Sequence, residues 1–237
     1  MKNALLLTLL VCLMPLSMKA QRAISGEGDV VRQEIQLETL TAIRLGISCD
    51  VILTQGASQK IVLEGQQNVL DNIKREVRHG SWIIQYDRNV HRSKDVKIYI
   101  TMQDLTDASV SGSGSISSTN RFKGLQDLEL AVSGSGEVSL DIEAQSVEAA
   151  VSGSGDVDLR GSARSIEIAI SGSGDVDAQG LETQRCEVAI SGSGDATVYC
   201  SESLEAAVSG SGDIGYKGSA PVVKAAVHGS GDVRKID

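Results

Sequence analysis

One tetrapeptide recurs along the second half of this chain at a nearly fixed interval. Ser-Gly-Ser-Gly begins at Ser111, Ser133, Ser152, Ser171, Ser191 and Ser209, and a copy led by histidine begins at His228. Successive start positions differ by 22, 19, 19, 20, 18 and then 19. A degenerate relative, Ser25-Gly26-Glu27-Gly28-Asp29-Val30, stands near the N-terminus. A period of about 20 residues is the mark of a repeat architecture, in which each unit leans on its neighbours. Glycine totals only 25 in the whole chain, which excludes collagen.

Alignment on the tetrapeptide exposes a period-two pattern. Five residues before each copy from the second onward stand Leu128, Val147, Ile166, Cys186, Leu204 and Val223. Three before stand Leu130, Ala149, Ile168, Val188, Ala206 and Ala225, and one before stand Val132, Val151, Ile170, Ile190, Val208 and Val227. Between them run a charged column (Glu129, Glu148, Glu167, Glu187, Glu205, Lys224) and an alanine column (Ala131, Ala150, Ala169, Ala189, Ala207, Ala226). After each corner the alternation resumes at Val138, Val157, Val176, Ala196, Ile214 and Val233. Such alternation describes strands with one buried face. Each repeat therefore reads as strand, glycine corner, strand and a short polar connection such as Glu143-Ala144-Gln145-Ser146.

Identical inward columns favour in-register stacking, so the expected fold is an all-β parallel β-helix with about 19-residue rungs and two principal strands per turn. A propeller needs about 40 residues per blade, twice this period. Residues 21–110 repeat less clearly. Runs at Ile35 to Leu45, Val51 to Leu53, Lys60 to Leu63, Ser81 to Tyr86 and Val96 to Thr101 read as strands, and Asn68 to Val77 as one short helix. No linker composition separates the halves, so 21–237 reads as a single domain with irregular early rungs.

Residues 1–20 describe an export signal: Lys2, the apolar stretch from Ala4 to Leu16, and a cleavage site at Met18-Lys19-Ala20. Cys12 follows Leu9-Leu10-Val11 and lacks the small neighbour of a lipid-attachment cysteine. No later run reaches the length of a membrane helix, so the expectation is an exported chain with no transmembrane segment, destined for the periplasm, cell surface or exterior. Cys49, Cys186 and Cys200 remain, an odd number without CxxC spacing, which indicates neither a disulfide framework nor a thiolate metal site.

The formal net charge is −9, and the repeats from Ser111 alone carry −10, with 19 acids against 9 bases. That balance excludes nucleic acid as a partner. Only one Trp, one Phe and four Tyr are present, too few for a broad stacking platform. Two acidic columns invite a functional reading: Glu129, Glu148, Glu167, Glu187 and Glu205, and Glu137, Asp156, Asp175, Asp195, Asp213 and Asp232. Stacked rungs would bring members to about 4.8 Å, where like charges in water repel by roughly 1 kcal/mol per pair. Divalent cations would relieve this, most densely at Asp156, Asp158, Asp175 and Asp177. The alternative is a solvated face on which each aspartate accepts turn amides. A lyase would need calcium and a base, for which Arg160 and Arg164 are the local candidates. His79, His91 and His228 lie far apart with no shared spacing, Cys186 sits in the apolar column, and Cys200 occupies a column otherwise held by Gly161, Gly180 and Gly218. No catalytic, cofactor-binding or metal-binding residue is assigned.

The corner-centred rungs, the strand Val96-Lys97-Ile98-Tyr99-Ile100 leading into Asp104-Leu105, and the upstream Asn68-Val69-Leu70-Asp71-Asn72-Ile73 resemble one bacterial family. It is known as "putative auto-transporter adhesin, head GIN domain", and the resemblance spans nearly all of 21–237. It implies a right-handed β-helix similar in shape to pectin lyases, without their catalytic set, and a role in cell adhesion. No membrane barrel is expected after the last rung. The resulting expectation is a non-catalytic binding or scaffold protein of the cell envelope, presenting β-helix faces to a surface glycan or protein. Polysaccharide lyase or hydrolase chemistry, and a self-associating structural role, are the alternatives. The rung that ends at Ile236 has no evident cap, so homo-oligomerisation through it is also expected.

Overall fold

The computed structural model describes residues 23–236; the export signal expected at 1–20 lies outside them. The chain runs through β1 (Ile24–Ser25), β2 (Val30–Ile35), β3 (Ala42–Leu45), β4 (Asp50–Gln55) and β5 (Lys60–Gln66) to a single helical turn, α1 (Gln67–Leu70). It continues through β6 (Val77–Arg78), β7 (Ser81–Ile84), β8 (Val90–Arg92), β9 (Lys97–Met102), β10 (Asp107–Gly112) and β11 (Ser115–Ser118). The repeats form β12 (Phe122–Gly134), β13 (Glu137–Gly153), β14 (Asp156–Gly172), β15 (Val176–Gly192), β16 (Ala196–Gly210), β17 (Ile214–Lys217), β18 (Val222–Gly229) and β19 (Val233–Lys235). All but β1 and β8 belong to one 17-stranded sheet that winds into a parallel β-solenoid.

The columns superpose. Leu128 pairs with Val147, Val147 with Ile166, Ile166 with Cys186 and Cys186 with Leu204, and the charged and alanine columns stack in the same register. Inward members from Leu128 to Val208 are buried, and Val138, Val157, Val176, Ala196 and Ile214 close the core from the other wall. The polar connections are not loops. Each long strand bends through them without a break, so Glu143 pairs with Ser162 and Ala144 with Ala163, and both alanines turn inward. A rung therefore has two broad walls and one short third side, where two principal strands were expected.

The glycine corners are part of the ladder. The Ser154 amide donates to Gly134 O at 2.8 Å, Ser173 to Gly153 O at 2.8 Å and Ser193 to Gly172 O at 2.8 Å. Gly153 holds φ at +119°, and a Cβ there would lie 2.6 Å from Gly134 O in the rung beneath. Glycine satisfies both demands, the left-handed backbone and the close approach of stacked chains. The unequal intervals between corners are absorbed by register shifts at Asp158/Arg160, Ala178/Glu182 and Thr183/Arg185. These shifts undo one column read from spacing: Gly161 pairs with Leu181, Gly180 with Arg160, and Cys200 with Thr183.

The first half departs further from expectation. The run from Ile35 to Leu45 is divided between the end of β2 and β3. The helix expected from Asn68 to Val77 shrinks to Gln67–Leu70, because Ile73 bridges to Tyr86 and Val77 joins the antiparallel pair β6–β7. Val69, Leu70 and Ile73 are still buried. Ser25-Gly26 forms no corner of the large sheet; Ile24 and Ser25 pair with β8 instead. Conversely, Gly46 to Cys49 makes a true corner without the tetrapeptide, and the Ser115 amide donates to Cys49 O at 3.0 Å.

The stacking order is not the chain order. β3 lies between β7 and β10, and β4 lies between β9 and β11. Residues 42–55 thus form the second layer, 81–102 the outer one and 107–118 the third. Antiparallel β5, β2 and β6 cover the outer layer, with fully buried Trp82 beneath them. The indole N–H donates to Lys74 O at 2.9 Å, and buried Asn72 exchanges hydrogen bonds with the Arg88 backbone at 2.7 and 3.1 Å. This end of the solenoid is capped.

Candidate functional site

The aspartates that follow the corners serve the backbone. Asp156 Oδ1 accepts the Asp175 amide at 3.2 Å, Asp175 Oδ1 the Asp195 amide at 2.8 Å, Asp195 Oδ1 the Asp213 amide at 2.7 Å and Asp213 Oδ1 the Asp232 amide at 2.9 Å. Each carboxylate staples its rung to the next one. A hydrogen bond to a charged acceptor is worth about 1.5–3 kcal/mol when shielded and less when, as here, most members face solvent.

Asp158 and Asp177, which stack in a neighbouring row, are also engaged. Asp158 makes a bidentate pair with Arg160 at 3.2 Å for both contacts. Partial burial alone would raise Asp177, but the Gln179 side chain, the Thr197 hydroxyl, the Gln179 amide and Arg160 together hold it below the usual carboxylate range. Among the described residues no cluster of His, Cys, Asp or Glu has the arrangement of a metal site. Of the two basic candidates, Arg160 joins the aspartates, whereas Arg164 lies on the short third side with Glu143 and Glu182. The structure does not assemble the histidines: His79 sits in the β6–β7 turn at φ +51°, His91 in β8 and His228 in β18.

The three cysteines among the described residues, Cys49, Cys186 and Cys200, are free and buried. Burial, aided by Asp50, pushes the Cys49 thiol up to about 12, and burial beside Cys49 pushes Tyr86 up to about 12. Cys186 is core, as its column requires. Its Sγ lies 2.9 Å from Thr183 Oγ1, and the neighbouring Cys200 thiol followed by burial pushes its own thiol up. Cys200 Sγ donates to Ser203 O at 2.8 Å. Spacing could not reveal this corner, because the register shift at Thr183/Arg185 creates it.

What remains free is one broad wall, built from the second half of β12 to β16. Three outward columns run up it in register: the glutamates from Glu129 to Glu205, the alanines from Ala131 to Ala207 and the serines from Ser133 to Ser209. All are exposed. The acidic column continues at one end into Asp107, paired with Arg44 at 2.8 Å, and terminates at the other in Lys224. Alanine leaves the middle of the wall lower than its rims, a shallow trough of 590 Å³ along Ala150, Ala169, Ala189 and Ala207. Beside the glutamates a second hollow of 390 Å³ is lined by Ser165, Arg185, Ser203 and Lys224. Arg185 replaces a serine in its column and sets a cation among Glu167, Glu187 and Glu205. The sequence carried that signal, one arginine in a column that holds Ser146, Ser165 and Ser203, but its meaning depends on the column facing outward.

Stacked, in-register rungs with an open, periodic wall define the class of extended parallel β-solenoids. The chain belongs to the family described as "Putative auto-transporter adhesin, head GIN domain", whose model matches residues 39–220. It is similar to a solved putative adhesin from Bacteroides fragilis, at 26% identity over 90% of this chain and 100% of that one, with a TM-score of 0.85. It is also similar in fold to a putative lipid binding protein from Parabacteroides distasonis, at 22% identity over 91% and 100% of the two chains and a TM-score of 0.77. A putative adhesin from Parabacteroides merdae shares the fold at 19% identity, over 91% and 99% of the chains, with a TM-score of 0.69. None of the curated proteins matches the sequence. No helix among the described residues is long and apolar enough to cross a membrane.

Proposed function

We propose that the protein is an exported, non-catalytic binding scaffold of the cell envelope, adhesin-like, which holds a surface glycan or an extended polypeptide along its trough. The observation that carries this reading is the wall itself. A floor of alanines lies between a rim of carboxylates and a rim of hydroxyls, each repeated at the spacing of the rungs. Extended polymers present hydroxyls or amides at regular intervals, and such rims offer them regular acceptors and donors. The adhesin family and the solved adhesin from Bacteroides fragilis support the reading. The aspartates that a lyase would need are occupied by backbone amides and Arg160. The test is a glycan, protein and lipid array followed by titration of the best hit. Filling the trough with Ala169→Trp should weaken binding by at least about tenfold while leaving the fold intact. No specific binding at all, or a polysaccharide turned over in the presence of calcium, would overturn the proposal.

A further inference from the structure

The two ends of the solenoid differ. One is closed by antiparallel strands over Trp82, and its outer edge strand β2 carries Arg32 and Glu34, paired with Glu64 and Lys60 at 2.7 and 3.2 Å. Charged side chains of this kind guard an edge against further pairing. Among the described residues the other end has no antiparallel cover, and on β18 Lys224 is the only fully charged side chain, although β19 carries Arg234 and Lys235. Among the described residues β18 pairs only with β16 and β19 only with β17. Their outer amides and carbonyls face away from the sheet along an eight-residue edge. The inward column also loses its cover there. Leu204 and Val208 are 1% exposed, whereas Val223 and Val227, stacked directly on them, are 39% and 41% exposed. A flat apolar edge with free backbone groups is a template for another strand.

A second copy of this chain fits that edge. A two-fold axis at Ala225 would lay β18 antiparallel to its mate, with Val223 of one copy facing Val227 of the other on the core side. On the outer side Lys224 would face Ala226, so no like charges oppose each other. The end of a single coil presents on the order of 500 Å² per copy, judged from strand dimensions. The total of about 1,000 Å² reaches the lower limit for a specific interface, and the hydrogen bonds of the joined edges add to it. Because the opposite end is capped, pairing of like ends closes at two and does not build a filament. We propose that the protein forms a two-fold dimer by antiparallel pairing of β18 across the uncapped end, making one continuous solenoid with a wall at each side of the seam.

Sedimentation velocity of the purified protein tests this directly. The expected result is a monomer at about 1 µM and a dimer at about 100 µM, the range fitting so small an interface. Val227→Asp should hold the protein monomeric across that range with an unchanged circular dichroism spectrum. Ala225→Cys, mildly oxidised, should cross-link to itself between copies, as peptide mapping would show. If Val227→Asp fails to fold, the Ala225→Cys cross-link decides alone. A parent protein monomeric throughout would overturn the proposal. An open ladder of oligomers, or cross-linked dimers lacking the 225–225 peptide, would do the same. None of these readouts depends on the ligand of the trough, so this proposal and the binding proposal fail separately.

Discussion

At the corners from Gly134 onward the first glycine bears two burdens that no other residue meets together. Gly153 needs φ near +119°, and its α-carbon passes so near the rung beneath that a methyl group would strike Gly134 O. The neighbouring Gly155 is as close to Gly136 O. Substituting Gly153→Ala therefore combines an unfavourable backbone region with overpacking against a backbone that cannot yield. Strain of the first kind costs about 1–3 kcal/mol and overpacking a similar amount. The expected loss is about 2–5 kcal/mol in urea denaturation. Ser154→Ala, which keeps the amide bond to Gly134 O, should cost less than about 1 kcal/mol. Equal losses for the two would mean that the corners tolerate a side chain and that stacking is looser than the register implies.

At the scale of the strand, the same in-register stacking that builds the core also lines up charge. Glu129, Glu148, Glu167, Glu187 and Glu205 stand one above another on exposed positions. Neighbours about 4.8 Å apart repel by roughly 1 kcal/mol in water, and less where the side chains flare apart. The screening length falls from about 30 Å at 0.01 M salt to about 3 Å at 1 M. Stability should therefore rise with sodium chloride, and Glu167→Gln should stabilise the protein at low salt and flatten the rise. The measurement is a thermal melt across ionic strength; a melting temperature indifferent to both would show that the column is already neutralised, for instance by a bound cation. The aspartate row is expected to behave differently, since its members accept backbone amides and gain from their charge.

For the molecule as a whole, the solenoid is a stack whose layers depend on what lies above and below them. Among the described residues the rungs of β13 to β15 have a neighbour on each side, the outer layer of residues 81–102 has its cap, and β18 and β19 have one neighbour each. Local opening should follow that order. Hydrogen exchange is expected to be slowest in β13 to β15 and fastest in β18 and β19 at low protein concentration. Protection of β18 that grows with concentration would accompany end-to-end pairing. Uniform protection along the chain would contradict a stack of semi-independent rungs.

The period of the corners and the alternation between them sufficed to specify the solenoid, because both are local consequences of backbone geometry repeated in register. From Leu128 to Val208 the inward columns could be read directly, and so could the glutamate and alanine columns between them, whereas the serines read only as corner residues. Three features were beyond such reading. The unequal intervals between corners hide register shifts, so the apparent column of Gly161, Gly180 and Cys200 is not a column in space. The placement of residues 42–55 beneath 81–102 is a crossover between segments distant in sequence, which no periodicity announces. The roles of the aspartates were settled only when stacking brought each carboxylate to the amide of the next rung. Sequence dictates what repeats locally; which layer lies on which, and whose amide each acid meets, follows from packing of the whole.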